Sequence, residues 1–267
     1  LDPFAEGVLI CCLNQATRLA GFLLHGKKKY AAVLKLGEET DTQDFTGTLV
    51  STGKPVDLSP QTIKYVFKKF KGPIQQLPPV FSALKHKGVP LYKLARCGNP
   101  IQKPPRCVEI YNINIQEIAL PFIRFEVTCS AGTYIRTLCA DIGKSLGCGG
   151  HLSALKRLES SGFTLNRAIS LSELEKLRNS TKLSKHIICM TDALPDMPQF
   201  RADTQLAEKI RHGKMISTRD LTGTYGTAGT DNTGSEIKIV DWDGDLIAIL
   251  KYSEPGHRLA YRCVFPK

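Results

Sequence analysis

Two short runs, far apart in the chain, hold residue types that could do chemistry together. Asp2 sits in Leu1-Asp2-Pro3-Phe4-Ala5-Glu6-Gly7-Val8-Leu9, and Arg136 closes Gly132-Thr133-Tyr134-Ile135-Arg136. A carboxylate can act as a nucleophile or take up a proton, and a guanidinium fork can hold it ionised and oriented. Pro3 biases Asp2 toward extended backbone, so its side chain is expected on a loop. Arg136 falls in the first turn of an expected helix, where a cation opposes the helix dipole. A carboxylate partner would relieve that conflict. Each residue also has an ordinary reading: a turn or capping aspartate, and a surface arginine. Tyr30, in Lys28-Lys29-Tyr30-Ala31-Ala32, offers a flat ring and an ionisable hydroxyl. It can stack on a ring or move a proton, the alternative being a plain core tyrosine. No metal-ligand spacing, nucleotide loop or redox motif accompanies these residues.

Charge suggests what such a site would act on. The net charge of the 267 residues is +11, yet residues 195–267 hold ten basic and ten acidic side chains. Residues 58–108 contain ten Lys and Arg and no acid. Such a stretch makes a field that attracts a phosphate backbone, so nucleic acid is the expected partner rather than a merely solvated face. The nine Cys are odd in number, form no C-x-x-C pair and sit mostly in apolar runs, as reduced, buried thiols of a cytosolic protein would. No apolar run approaches the ~18 residues of a membrane span.

The elements that would position these residues follow from periodicity. Gln15–His25 carries apolar residues at helical spacing. Lys29–Gly37 alternates as a strand, with Tyr30, Ala32, Leu34 and Leu36 on one face. Residues 38–53 read as a loop plus an edge strand. Ser59-Pro60 starts a helix that runs to about Phe70. Pro78–Lys85 looks extended and Leu91–Arg96 a short helix. Val108–Ile118 and Phe122–Ser130 look like strands, and Tyr134–Leu146 a helix closed by Gly147. Ser170-x-x-Glu173 is a capping box. Near residues 192–199 Pro and Met accumulate and the charge balance changes, which suggests a domain boundary. Beyond it come a helix over Ala202–His212, a hairpin turning at Asp243-Gly244 and a last strand over Leu259–Phe265, a set that suits a small β-barrel.

The two runs together resemble the TruB family, the bacterial-type tRNA pseudouridine synthases, and the resemblance covers residues 1 to about 165. It implies an α+β catalytic domain over 1–194, with a mixed or mainly antiparallel sheet and flanking helices. A thumb-like RNA-binding insertion would occupy about 73–106, and a PUA-like RNA-binding β-barrel 195–267. The implied reaction isomerises uridine 55 in the T-loop of tRNA to pseudouridine, with the base flipped out of its stack. By resemblance Asp2 is the catalytic carboxylate, Arg136 its partner and Tyr30 a group that stacks on the uracil. Tyr134 and Leu155 would pack around the base. Pro78-Pro79-Val80-Phe81-Ser82-Ala83-Leu84-Lys85 matches the start of the family's thumb loop, so Lys85, Lys87, Lys93 and Arg96 are expected near phosphates. No metal and no cofactor is implied. The expected form is a cytoplasmic monomer with tRNA as partner and no membrane.

Relatives carry a strand and a Gly-His-x-Gly-x segment before Leu-Asp-Pro that this sequence lacks. A truncated chain of lower activity is therefore expected, from a full-length protein that works. Two rival readings stay open: a guide-RNA-dependent relative, and a catalytically silent RNA-binding protein or tRNA folding helper. Asp2 would be dispensable in the second.

Overall fold

Alternating burial in the strands and capped, one-sided helices account for most of the architecture. The computed structural model describes residues 1–53, 57–178, 180–221, 236–253 and 258–266. The chain forms two compact units: Leu1–Cys11 with Phe22–Ala168, and Cys12–Gly21 with Ile169–Lys267. The compositional change near residue 194 therefore lies inside the second unit.

Among its described residues the first unit is built on seven paired strands: β1 (Glu6–Gly7), β2 (Lys28–Leu36), β5 (Gly72–Gln76), β8 (Arg106–Ala119), β9 (Phe122–Cys129), β10 (Gly150–Ser160) and β11 (Phe163–Thr164). Two small hairpins stand beside them, β3 (Glu38–Thr40) with β4 (Leu49–Thr52) and β6 (Lys85–His86) with β7 (Val89–Pro90). The sheet order is β1-β10-β2-β9-β8-β5, with β11 on β10. Only β1 runs parallel to its neighbour, so the sheet is mixed and mainly antiparallel. Tyr30, Ala32, Leu34 and Leu36 are buried and the residues between them, from Ala31 to Lys35, are not, as period-two patterning requires.

Two helices share the core with that face, and α3 (Leu91–Arg96) lies apart in the 77–105 excursion. Before them in the chain, a 3-10 turn (Asn14–Leu19) runs into the short α1 (Ala20–Leu24). In α2 (Pro60–Lys69) the Ser59 hydroxyl accepts from the Thr62 N–H and Pro60 occupies the first turn. Its Ile63, Val66 and Phe67 point inward, and the Phe67 ring meets Phe125 edge-on at 5.3 Å. In α4 (Ile135–Ser145) Ile135, Leu138, Cys139 and Ile142 make the buried stripe. Each large side chain withdrawn from water here contributes about 1.5–3 kcal/mol. Gly143 lets α4 approach β10 closely, because a Cβ there would run into the backbone of Gly149 and Gly150.

Among its described residues the second unit has five strands: β12 (Gln199–Arg201), β13 (Ile216–Ser217), β14 (Glu236–Val240), β15 (Leu246–Ser253) and β16 (Arg258–Val264). Their order is β12-β14-β15-β16-β13. The short α5 (Leu171–Lys176) is capped by Ser170, whose hydroxyl accepts from the Glu173 N–H. Asp203 caps α6 (Thr204–Arg211) by accepting from the Leu206 N–H at 2.8 Å, and Leu206, Ala207 and Ile210 bury the inner face. Gly244, at φ 89°, supplies the left-handed residue the β14–β15 turn needs. Gln15 ties the Cys12–Gly21 segment into this unit through the Pro266 carbonyl. The curled small sheet with its helix agrees with a PUA-like module.

Several segments differ from expectation. The Gln15–His25 helix is split between the 3-10 turn and α1. Residues 38–53 form a two-stranded hairpin rather than a loop with one strand. Strand β10, the most connected of the sheet, has no counterpart in the sequence reading. Its alternation is broken by irregularities at Leu152/Ala154 and Arg157/Glu159, so no period of two shows.

Candidate functional site

Asp2 begins a turn with Pro3 at its second position, closed by the Ala5 N–H donating to the Asp2 carbonyl at 3.0 Å. The chain then joins the sheet: β1 pairs with Lys156 and Arg157, and the Val8 N–H donates to the Arg157 carbonyl at 2.9 Å. The Arg157 side chain returns the contact, Nε donating to the Val8 carbonyl at 2.6 Å. Gly7, at φ 101°, makes this junction possible, because a Cβ would collide with the Arg157 carbonyl oxygen. The Asp2 turn is thus anchored to β10.

Arg136 enters from the first turn of α4 and is buried. Its Nε donates to Asp2 Oδ2 at 3.0 Å and its Nη2 to Asp2 Oδ1 at 3.2 Å, a two-point fork. Nη1 donates to the Thr42 carbonyl at 2.9 Å and lies 3.4 Å from Asp44 Oδ2. Nη2 also donates to the Phe81 carbonyl at 3.0 Å. Asp44 is itself saturated, its Oδ1 accepting from the Thr42 hydroxyl and from the backbone and hydroxyl of Thr46. The loop that presents it is bonded to β10, through the Phe45 N–H to the Leu152 carbonyl and the Leu152 N–H to the Gln43 carbonyl.

Tyr30 and Leu155 lie on adjacent strands, where Tyr30 pairs with Arg157 and Leu155 with Ala32, so both side chains face the same side. Both are buried. Burial pushes the Tyr30 phenol above its ordinary value, with the Cys129 thiol adding to the rise. The Arg157 guanidinium opposes it by charge and a hydrogen bond, and the Asp2 carboxylate, within electrostatic range, raises it slightly. Tyr134 is the residue before α4, in extended conformation, two positions ahead of Arg136. The buried Gln76 side chain fixes it, Nε2 donating to the Tyr134 carbonyl at 3.0 Å and Oε1 accepting from its N–H at 2.7 Å. Arg106 lies over the Tyr134 ring at 4.8 Å.

The structure therefore brings together Asp2 and Arg136, places Tyr30 in electrostatic range of Asp2, and sets Tyr134 two residues before Arg136 in the chain. Lys85, Lys87, Lys93 and Arg96 lie apart from that cluster, all exposed on the excursion that leaves the sheet after Gln76 and returns at Arg106. Arg96 lies 5.5 Å over the Tyr92 ring. Nothing in the sequence singles out Asp44, Gln76, Arg106 or Arg157 as partners of this site, because each acts through a long-range contact that carries no local signature. A cleft of about 500 Å³ is lined by Phe4, Phe45, Ala31, Val33, Glu126 and the predicted pocket residue Leu155, and Asp2, Tyr30 and Arg136 do not line it. Among the described residues no group of His, Cys, Asp and Glu could hold a metal ion, and no helix is long and apolar enough to cross a membrane.

The chain is similar to known proteins in sequence and in fold. A family profile described as "TruB family pseudouridylate synthase (N terminal domain)" matches residues 1–135. A second, "tRNA pseudouridylate synthase B C-terminal domain", matches residues 136–195. The chain is similar to tRNA pseudouridine synthase B of Geobacter sulfurreducens, 41% identical over 249 residues, covering 93% of this chain and 81% of the relative. It is also similar to tRNA pseudouridine synthase B of Syntrophus aciditrophicus, 39% identical over 260 residues, covering 97% of this chain and 82% of the relative. Among solved structures it resembles a chain of "Crystal Structure of a Cbf5-Nop10-Gar1 Complex", with a TM-score of 0.75 and 26% identity over 100% of this chain and 75% of that one. With the N-terminal profile spanning residues 1–135 and relatives near 40% identity along most of both chains, this chain belongs to the TruB family of pseudouridylate synthases.

Proposed function

We propose that this protein converts uridine 55 in the T-loop of tRNA to pseudouridine, acting on the tRNA T-arm as a cytoplasmic monomer. The observation that carries the reading is the two-point Asp2–Arg136 pair, at 3.0 and 3.2 Å, with Tyr30 in electrostatic range of Asp2. In the reaction the bond from ribose C1′ to uracil N1 breaks and a bond from C1′ to C5 forms. The C5 proton is lost, and N1 ends protonated. Asp2 supplies the carboxylate that attacks or stabilises the sugar or base, as carboxylates do at anomeric carbons. Arg136 keeps it ionised and oriented. Tyr30, with its phenol protonated at neutral pH, stacks on the uracil and can deliver a proton. Tyr134 and Leu155 pack around the base, which must leave its stack to reach them.

In this reading residues 1–194 form the catalytic domain, with a thumb over about 73–106, and 195–267 a PUA-like RNA-binding domain. Lys85, Lys87, Lys93 and Arg96 lie along phosphates of the T-arm. The reaction needs neither metal nor cofactor. The test is tritium release from a T-arm hairpin labelled at uracil C5, with the native chain and Asp2→Asn. Release by the native chain alone supports the synthase. A chain that binds the hairpin yet releases nothing, also when extended at its N-terminus, overturns it in favour of a silent RNA-binding role. Turnover without any other RNA or protein separates the reading from a guide-dependent assembly.

A further inference from the structure

Strands β5 and β8 pair in register up to Gln76 opposite Arg106. This is the last pair before the chain leaves the sheet at Leu77, and the first after it returns. Both side chains of the pair turn to the same target. The Gln76 amide bonds both backbone groups of Tyr134, while Arg106 lies over the Tyr134 ring and donates to the Gly132 carbonyl. Gln76 is fully buried, and a side chain with one donor and one acceptor at that reach is what the two Tyr134 contacts require. Arg106 has a buried Nε with no hydrogen-bond partner among the described residues, so the ring and the Gly132 carbonyl hold it rather than a carboxylate. The same excursion touches the site once more near its start, where the Phe81 carbonyl accepts from Arg136.

We propose that Gln76 and Arg106 are positioning residues that hold Tyr134 as a wall of the uridine pocket and gear that wall to the RNA-bound position of the 77–105 excursion. The inference rests on the synthase reading. RNA gripped by the exposed lysines moves or steadies the ends of the excursion. Those ends are the Gln76–Arg106 pair, so the displacement reaches Tyr134 through two hydrogen bonds and a stacked cation. Pocket assembly is then a consequence of correct docking rather than a fixed property of the free protein.

The test follows amide exchange at Tyr134 by NMR, with and without a T-arm hairpin, together with hairpin affinity and steady-state kinetics. In the native chain RNA should slow Tyr134 exchange about tenfold or more. In Gln76→Leu that slowing should vanish, with affinity and KM within about twofold and kcat lower by about 10- to 100-fold, the scale of a misplaced pocket wall. Gln76→Glu gives an independent readout if the leucine variant folds poorly. Its protonated carboxyl can make both contacts, but its carboxylate cannot donate to the Tyr134 carbonyl. Its kcat should therefore fall as that carboxyl ionises, a limb absent from the native profile. Equal RNA-induced slowing in the native chain and in Gln76→Leu, or a Gln76→Glu profile parallel to the native one, overturns the proposal. A chain that binds the hairpin and slows Tyr134 exchange without turnover sinks the synthase reading alone, and failure to bind sinks both.

Discussion

Arg136 stands between two carboxylates that are not equivalent. It forks onto Asp2 at 3.0 and 3.2 Å and reaches Asp44 at 3.4 Å. The Asp44 side chain is 5% exposed and its Oδ1 is bonded to Thr42 and Thr46, whereas the Asp2 side chain keeps 26% of its surface open. One carboxylate is committed to holding the arginine, and the other is oriented by it and reachable. That asymmetry supports the proposal that Asp2 carries the chemistry while Asp44 holds Arg136 in place.

Arg136→Lys keeps the charge but cannot reproduce the fork. We expect kcat to fall by about a hundredfold, in line with a catalytic group held out of position, with hairpin affinity little changed. Arg136→Met would leave Asp44 buried without its cation, at a cost of about 3–5 kcal/mol. Denaturant midpoints of the two variants separate these effects.

Neutralising Lys85, Lys87, Lys93 and Arg96 together should flatten the salt dependence of RNA binding. Each lost phosphate contact removes about 0.7–0.9 from the slope of log affinity against log salt, so the quadruple variant should be shallower by about three. A filter-binding series over salt concentration measures it. An unchanged slope would place the RNA elsewhere.

The raised Tyr30 phenol has a signature in stability. Its folded pKa lies above the unfolded value of about 10, so its contribution is complete below pH 10 and is lost as pH climbs through the folded pKa. Tyr30→Phe should unfold less steeply on the alkaline side while showing an unchanged pH slope near neutrality. Urea titrations from pH 8 upward check this.

The thiols should divide by reactivity. Against the expectation of buried thiols, Cys11, Cys97, Cys107 and Cys189 are exposed, and only Cys129, Cys139 and Cys148 are buried. Burial pushes the Cys129 thiol up to about 11 and raises Cys139 as well. At pH 8 a thiol reagent should therefore label the four exposed cysteines quickly, and Cys129 and Cys139 only after unfolding. Fast labelling of either would contradict the packing of α4 on the sheet.

Local signals carried much of this fold. Ser59-Pro60, the Tyr30–Leu36 alternation and Gly147 each specify an element through their own backbone preferences, and the elements stand where those preferences put them. Strand β10 was hidden because its bulges break the alternation. Apolar spacing does not distinguish the 3-10 turn of Asn14–Leu19 from an α-helix over one or two turns. At the site, the two motif runs point to Asp2 and Arg136, while Asp44 and Gln76 meet their partners across 92 and 58 residues of chain and have no motif of their own.

Gly7 touches no base, sugar or phosphate in any step above, yet its Cα–H faces the Arg157 carbonyl with no space for a methyl group. In a random-mutagenesis screen, position 7 should score like position 2. Almost every single-base change that alters Gly7 should appear as a loss-of-function allele, although purified protein would show the Asp2–Arg136 residues intact. The genetic footprint of this centre is thus wider than its chemistry, and a variant at a residue that takes no part in the reaction can silence it by unseating the Asp2 turn.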